Sequence, residues 1–389
     1  MADLNQVREG LREIDIAVHN LWALGKNMVV GWMADDAGLQ VCFAPAYRVL
    51  SETTDNPHLL DGSRRMESRV FSRTCRVLQV RPLQLALPFK IGTGPGEVHP
   101  DAIDTVIRRY SIVRTGHRAV MLFDIVGFQT APPIIQLAQF TSLESSISTA
   151  GEIMCEAGLD VELARSTAGD GFIYVWNRAA GLEADLRTYL ALLMALTDNA
   201  LGRQQVGFDS PLVPTLRSGF TVGSHFSYHQ VEANKPRSFE YATGQVTIAL
   251  ARMLQKALTG QILIGVFQRP VESATGTLDT VLFLARAEAL LTRLKGRAVG
   301  EHVIKEIRAI LSGGTVDKRS HSVVKYAVTD KHGHAHEAFN LRLKVEPEKA
   351  ALIDLGLAAD ELAEFDAKPA VYEIPLAGTE RPAAQGGAG

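Results

Sequence analysis

The chain has 389 residues, 46% of them hydrophobic and 21% charged, with a net charge of −3 and a pI near 6.4. That length suits two domains or one elaborated domain with a real core, and the balance lacks the basic excess of a general nucleic-acid binder. Three scattered cysteines, Cys42, Cys75 and Cys155, make neither a zinc pattern nor a disulfide framework, which suits a reducing cytoplasm.

The first 30 residues carry Val7, Leu11, Ile14, Val18, Leu21 and Leu24 at spacings of three and four, which predicts an amphipathic helix. Residues 39–90 alternate short apolar runs with polar turns, as a small α+β region does. The stretch 91–101, IGTGPGEVHPD, is rich in glycine and proline and predicts a connection. An N-terminal α+β region over 1–110 is therefore expected, with no recognisable chemistry. The charged N-terminus has no apolar signal core. The longest apolar run, Leu190–Leu196, falls short of the roughly 18–20 residues of a membrane span.

From residue 112 the pattern alternates strand and helix. RAVMLFDIV, VELARS, GFIYVW, LRSGFTVGSHFSYHQV and TGQILIGV read as strands. The stretches beginning PIIQLAQF, LEADLRTY, GQVTIALA and LDTVLFLA read as helices, and so does HVIKEIRAILSG. VVKYAVTDKHGHAHEAFNLRL predicts a closing hairpin. Residues 111–347 are expected to form the main domain, and the tail 348–389 to be largely disordered.

Two aspartates stand out. Asp124 interrupts the apolar strand MLFDIVGF, where an unpaired charge is costly to bury. Asp170 sits between Gly169 and Gly171, a setting that also suits a simple hairpin turn. Two carboxylates, each at a strand end before a glycine turn, suit a hard divalent cation that keeps sites for phosphate oxygens.

The order and the 46-residue separation of these aspartates resemble the class III nucleotide cyclases, the adenylate and guanylate cyclase family. The stretch GQVTIALARMLQKALTGQIL resembles another family segment, and the likeness spans residues 115–345. It implies an α/β fold: a ferredoxin-like, antiparallel-centred sheet flanked by helices. It implies that Asp124, Asp170 and the carbonyl of Ile125 bind two Mg²⁺ or Mn²⁺ ions. The turn of Val126, Gly127 and Phe128 would offer backbone N–H groups to phosphate. Gly244 matches the family glycine, and Arg252 the arginine that stabilises charge on the transferring phosphate. The family asparagine is replaced by Ile248, and Gln245 is the nearest amide on the same helical face. Lys331 corresponds to the lysine that touches the triphosphate. His332, His334 and His336 would share a face of a strand, with no obvious acidic partner.

The base-reading positions depart from both purine patterns. Ser166 stands for the first selector, and Tyr241, or Ala242 with a one-residue gap, for the second. A site lacking the purine contacts should not prefer purines by them. The arrangement resembles the uridylate and cytidylate cyclases of the antiphage Pycsar system. The expectation is a homodimeric cytoplasmic enzyme with shared active sites. It would cyclise UTP or CTP, bind no nucleic acid, have no membrane span, and feed a cyclic-nucleotide effector. The alternatives are a purine cyclase with unorthodox base contacts and an inactive pseudo-cyclase.

Overall fold

A computed structural model describes residues 4–35, 37–94, 97–167, 169, 171–231, 238–271, 276–312, 315–317 and 320–373. The chain divides into two compact units, Met1–Arg118 with Ser224–Thr247, and Ala119–Gly223 with Ile248–Gly389. The boundaries fall within elements and return 224–247 to the first unit, so the units are interleaved in sequence rather than split near residue 110.

The first unit runs α1 (Leu4–Trp22), β1 (Asn27–Asp35), β2 (Gly38–Pro45), α2 (Ala46–Glu52), α3 (Ser68–Val77), β3 (Leu83–Leu85) and α4 (Pro100–Arg108). It forms the expected small α+β region, with an antiparallel sheet in the order β1-β2-β3. Ile14 and Val18 of α1 pack with Val29, Trp32, Val41, Ile103 and Ile107. The helix stops at Trp22, so Leu24 leaves the predicted apolar face: it adopts a positive φ and is exposed. Arg64 is fully buried, and its guanidinium donates to the carbonyls of Val30, Asp61 and Gly62.

The chain continues through β4 (Ile112–Ile125), α5 (Pro133–Glu156), β5 (Leu163–Thr167), β6 (Phe172–Asn177), α6 (Leu182–Val206), β7 (Leu216–Val231), β8 (Ser238–Thr243), α7 (Gln245–Leu254) and β9 (Ile262–Gly265). Then come β10 (Gln268–Pro270), β11 (Thr277–Asp279), α8 (Thr280–Leu291), β12 (Ala298–Val299), β13 (His302–Leu311), β14 (Thr315–Asp317), β15 (Ser320–Thr329), β16 (Ala335–Pro347), β17 (Ile353–Leu355) and β18 (Lys368–Glu373). The end of β7 pairs with β8 as an antiparallel hairpin of the first unit.

The central sheet has the order β12-β13-β16-β9-β7-β4-β6-β5, antiparallel at most of its junctions and parallel between β7 and β9. This is the expected α/β class, a mixed sheet flanked by helices. Strand periodicity sorts the residues of the second unit by face. Ala119, Met121, Phe123 and Ile125 of β4, Ile173 and Val175 of β6, Phe220 of β7, and Ile262 and Ile264 of β9 join one core. That core includes residues of α5, α6 and α8. The alternate residues face the other way. There Gly219 lets α7 approach, since a Cβ would lie 3.1 Å from Leu250, and at Gly265 a Cβ would lie 2.6 Å from Thr221 of β7 and 3.2 Å from Met253.

Two expectations are corrected. HVIKEIRAILSG is the strand β13, because its isoleucines pair along β16 and Val303 pairs with Ala298 of β12 instead of winding a helix. The tail is ordered through Glu373: β17 pairs with β16 and β18 with β15. The rest of the tail, 374–389, lies outside the described residues.

Candidate active site

Asp124 lies on the sheet face turned away from the α5–α6–α8 core, one residue from the end of β4. It is 2% exposed. Its strand partner is Phe172 of β6. Burial pushes its carboxyl pKa up, and the neighbouring Arg217 guanidinium opposes that shift. Arg217 is the second residue of β7 and shares this face. Its Nη2 stands 2.5 Å from Asp124 Oδ2, a close ion pair across the face. The charge is balanced, and a carboxylate oxygen engaged once still has a second lone pair. A buried hard oxygen of this kind fits a divalent cation. Such an ion would have to displace or share with Arg217.

The two predicted motifs converge. The backbone N–H of Ile125 donates to the carbonyl of Gly171 at 3.2 Å. Gly171 has φ +89°, and a Cβ there would lie 2.8 Å from Phe128, so the turn after Asp124 presses against Gly171. Asp170 itself lies outside the described residues. Among the described residues, no three His, Cys, Asp or Glu side chains gather as a metal cluster. Gly127 is left-handed, as its turn requires. The Val126 N–H is already engaged by the Thr215 carbonyl, so it is not open to phosphate as the resemblance implied.

Ser166 is half-buried on β5 opposite Tyr174 of β6, and alternation puts it on the sheet face of Asp124. Its neighbour Arg165 points the other way, to Glu144 and Ser148 of α5. Tyr241 and Ala242 lie on β8 in the first unit. Tyr241 stacks on its cross-strand partner Tyr228, with ring centroids 5.4 Å apart. Gln245 opens α7 and is exposed. The Ser224 hydroxyl lies 3.5 Å from its side-chain oxygen. Ile248, at the position of the family asparagine, is 56% exposed.

Arg252 is partly buried on α7, with its Nε 3.8 Å from Asp330 Oδ2. Lys331 is exposed in the turn between β15 and β16. The histidines do not line one face of a strand: His332 lies in that turn, His334 at its end, and only His336 is in β16. They do have an acidic partner. Asp330 Oδ2 is 3.6 Å from His334 Nδ1 and 3.4 Å from His336 Nε2. Sequence reasoning missed both Arg217 and Asp330. Arg217 carries no motif. Asp330 stood in plain view in TDKHGHAHE, and a carboxylate beside a histidine-bearing turn was the available signal.

No family model and no curated protein matches the chain. Solved structures similar to it include the adenylyl cyclase CyaB from P. aeruginosa, at 11% identity and TM-score 0.34, covering 59% of this chain and 95% of that one. The guanylyl cyclase Cya2 has 12% identity and TM-score 0.33, with coverages of 59% and 92%. The guanylate cyclase domain of RhGC from Catenaria anguillulae, in complex with GTP, has 11% identity and TM-score 0.33, with coverages of 59% and 97%. At such identities and scores the likeness carries no weight for what this chain does.

Proposed function

We propose that this chain is a nucleotide cyclase, converting a nucleoside triphosphate to its 3′,5′-cyclic monophosphate and pyrophosphate. The observation that carries this reading is Asp124: a buried carboxylate one residue from a strand end, whose following turn meets Gly171, the residue after Asp170 in sequence.

The reaction joins the ribose 3′-oxygen to the α-phosphorus, breaks the bond from that phosphorus to the β-phosphate bridging oxygen, and removes the 3′-hydroxyl proton. Asp124, Asp170 and the Ile125 carbonyl would hold two Mg²⁺ or Mn²⁺ ions, which acidify the hydroxyl and neutralise phosphate charge. Arg252 would meet charge on the α-phosphate, with Gln245 as the nearest amide on its helix. Gly127, Phe128 and Lys331 would hold the polyphosphate. Ser166 and Tyr241 or Ala242 would face the base. Neither purine pattern is present there, which supports UTP or CTP as substrate. A homodimer sharing its sites, a cytoplasmic location and a cyclic-nucleotide effector in phage defence complete the reading. No helix among the described residues is long and apolar enough to cross a membrane.

A second reading is binding without turnover. The exposed Ile248 in place of an amide, and Arg217 already neutralising Asp124, favour it. The test is mass spectrometry of products from the purified chain with equal ATP, GTP, CTP and UTP and Mn²⁺. Cyclic UMP or CMP is expected to dominate. Dominant cyclic AMP or GMP would replace the pyrimidine assignment by the purine one. No cyclic product under any metal would leave the binding reading.

A further inference from the structure

Asp330 immediately follows β15 and is almost wholly buried, with 4% of its side chain exposed. Its two oxygens do different things. Oδ1 accepts the backbone N–H groups of His332 at 2.8 Å and His334 at 3.0 Å, which lock the carboxylate to the turn. Oδ2 faces outward from that lock to Arg252 Nε, His334 Nδ1 and His336 Nε2 at 3.8, 3.6 and 3.4 Å. Among the described residues these three are the charged or titratable side chains in contact with it, one from α7 and two from the turn and β16.

Arg252 approaches through Nε. Its terminal Nη1 and Nη2 are therefore not taken up by Asp330, and those two groups form the fork that suits a phosphate. Burial pushes the Asp330 pKa up. The backbone N–H groups of His334 and His332, then the His336 ring and the His334 charge, outweigh it and hold the carboxyl well below its ordinary range. The carboxylate is therefore an anion that the guanidinium and any protonated imidazole beside it can both engage.

We propose that Asp330 is the positioning residue for Arg252, and that His334 and His336 modulate its hold by competing for the same carboxylate oxygen. With neutral imidazoles, Oδ2 keeps its contact with His336 while its charge attracts the Arg252 cation and aims the fork. As pH falls, imidazolium groups draw on that oxygen and Arg252 loosens. The consequence for turnover rests on the cyclase reading; the shared carboxylate does not.

The experiment has two arms on the full chain. Ring-proton NMR titrations follow His336 in the wild type, Asp330→Asn and Arg252→Gln. Asp330→Asn should lower the His336 midpoint, and Arg252→Gln should raise it by about half a unit, because a competing cation has gone. Identical midpoints in all three proteins would overturn the proposal. In the kinetic arm, Asp330→Asn should lower kcat about tenfold with little change in KM. Asp330→Glu should restore part of it, and His336→Gln should move the acid limb of the pH–kcat profile to lower pH. Melting curves exclude unfolding of the variants. An unchanged kcat in folded Asp330→Asn would also overturn the proposal. Shifted midpoints in a protein that makes no cyclic product would uphold the shared carboxylate and sink the cyclase reading instead.

Discussion

Asp124 and His225 show how burial sets the chemistry of a single side chain in opposite ways. Asp124 keeps a cation beside it. The Asp124→Asn variant is expected to retain the fold, because the amide is nearly isosteric and removes a buried charge, while Mn²⁺-dependent turnover falls roughly a hundredfold or more. Paired melting and product assays check this, and near-normal turnover would remove Asp124 from the metal assignment. His225, on the part of β7 in the first unit, is 1% exposed, and among the described residues neither ring nitrogen has a hydrogen-bond partner. Gly244 packs on it so closely that a Cβ would lie 2.8 Å from the His225 Cα. Burial, then the Arg118 charge, depresses its pKa from 6.5 to about 3. Between those values the unfolded chain binds a proton that the folded chain refuses, so stability is complete above 6.5 and is lost as pH falls. Each pH unit in that window costs up to about 1.4 kcal/mol. Urea unfolding at pH 7 and pH 5 should show this loss in the wild type. His225→Leu should flatten it, and an unflattened slope would place the sensitivity elsewhere.

At the scale of elements, one buried ion pair joins three segments of the second unit. Asp185 of α6 accepts the Ala119 N–H of β4, and its other oxygen receives Arg269 Nε of β10 at 2.6 Å. Both side chains are nearly inaccessible, at 3% and 4% exposure. Removing one partner strands the other charge, so Asp185→Ala should cost about 3–5 kcal/mol. The double variant Asp185→Ala/Arg269→Met should recover much of that loss. Denaturant melts of the three proteins measure it, and additive losses would contradict the coupling. Elements also differ in how legible they were. MLFDIV, FIYVW and GQVTIALAR read correctly because each has one period and a clear boundary. HVIKEIRAIL did not, because its apolar residues at 303, 304, 307 and 310 also satisfy helical spacing; pairing with β16 decided the matter. The tail strand β18 is mostly exposed in its own right and becomes a strand by pairing with β15.

At the scale of the molecule, the proposed cyclase would need two copies of the chain. Asp170 and Arg252 would then belong to one site contributed by different subunits. Asp170→Asn and Arg252→Ala, each inactive alone, should regain up to about a quarter of wild-type activity when mixed, because half the dimers would hold one intact site. Subunit exchange is verified by mass-tagged chains. Full exchange without recovered activity would argue that each chain builds its own site.

What the linear chain determined by itself is local. Periodicity set most helices and strands of residues 112–265, and two charges that interrupt apolar or glycine-rich runs marked Asp124 and Asp170, because local sequence governs both backbone preference and the cost of an isolated charge. What only the tertiary structure decided is who meets whom. Arg217 reaches Asp124 from a strand more than 90 residues later, and Asp330 reaches Arg252 from the far side of β9 in sequence. The segment 224–247 leaves the second unit for the first. None of these has a spacing to read, because ion pairs act through space and the sheet order that creates them is not the order of the chain.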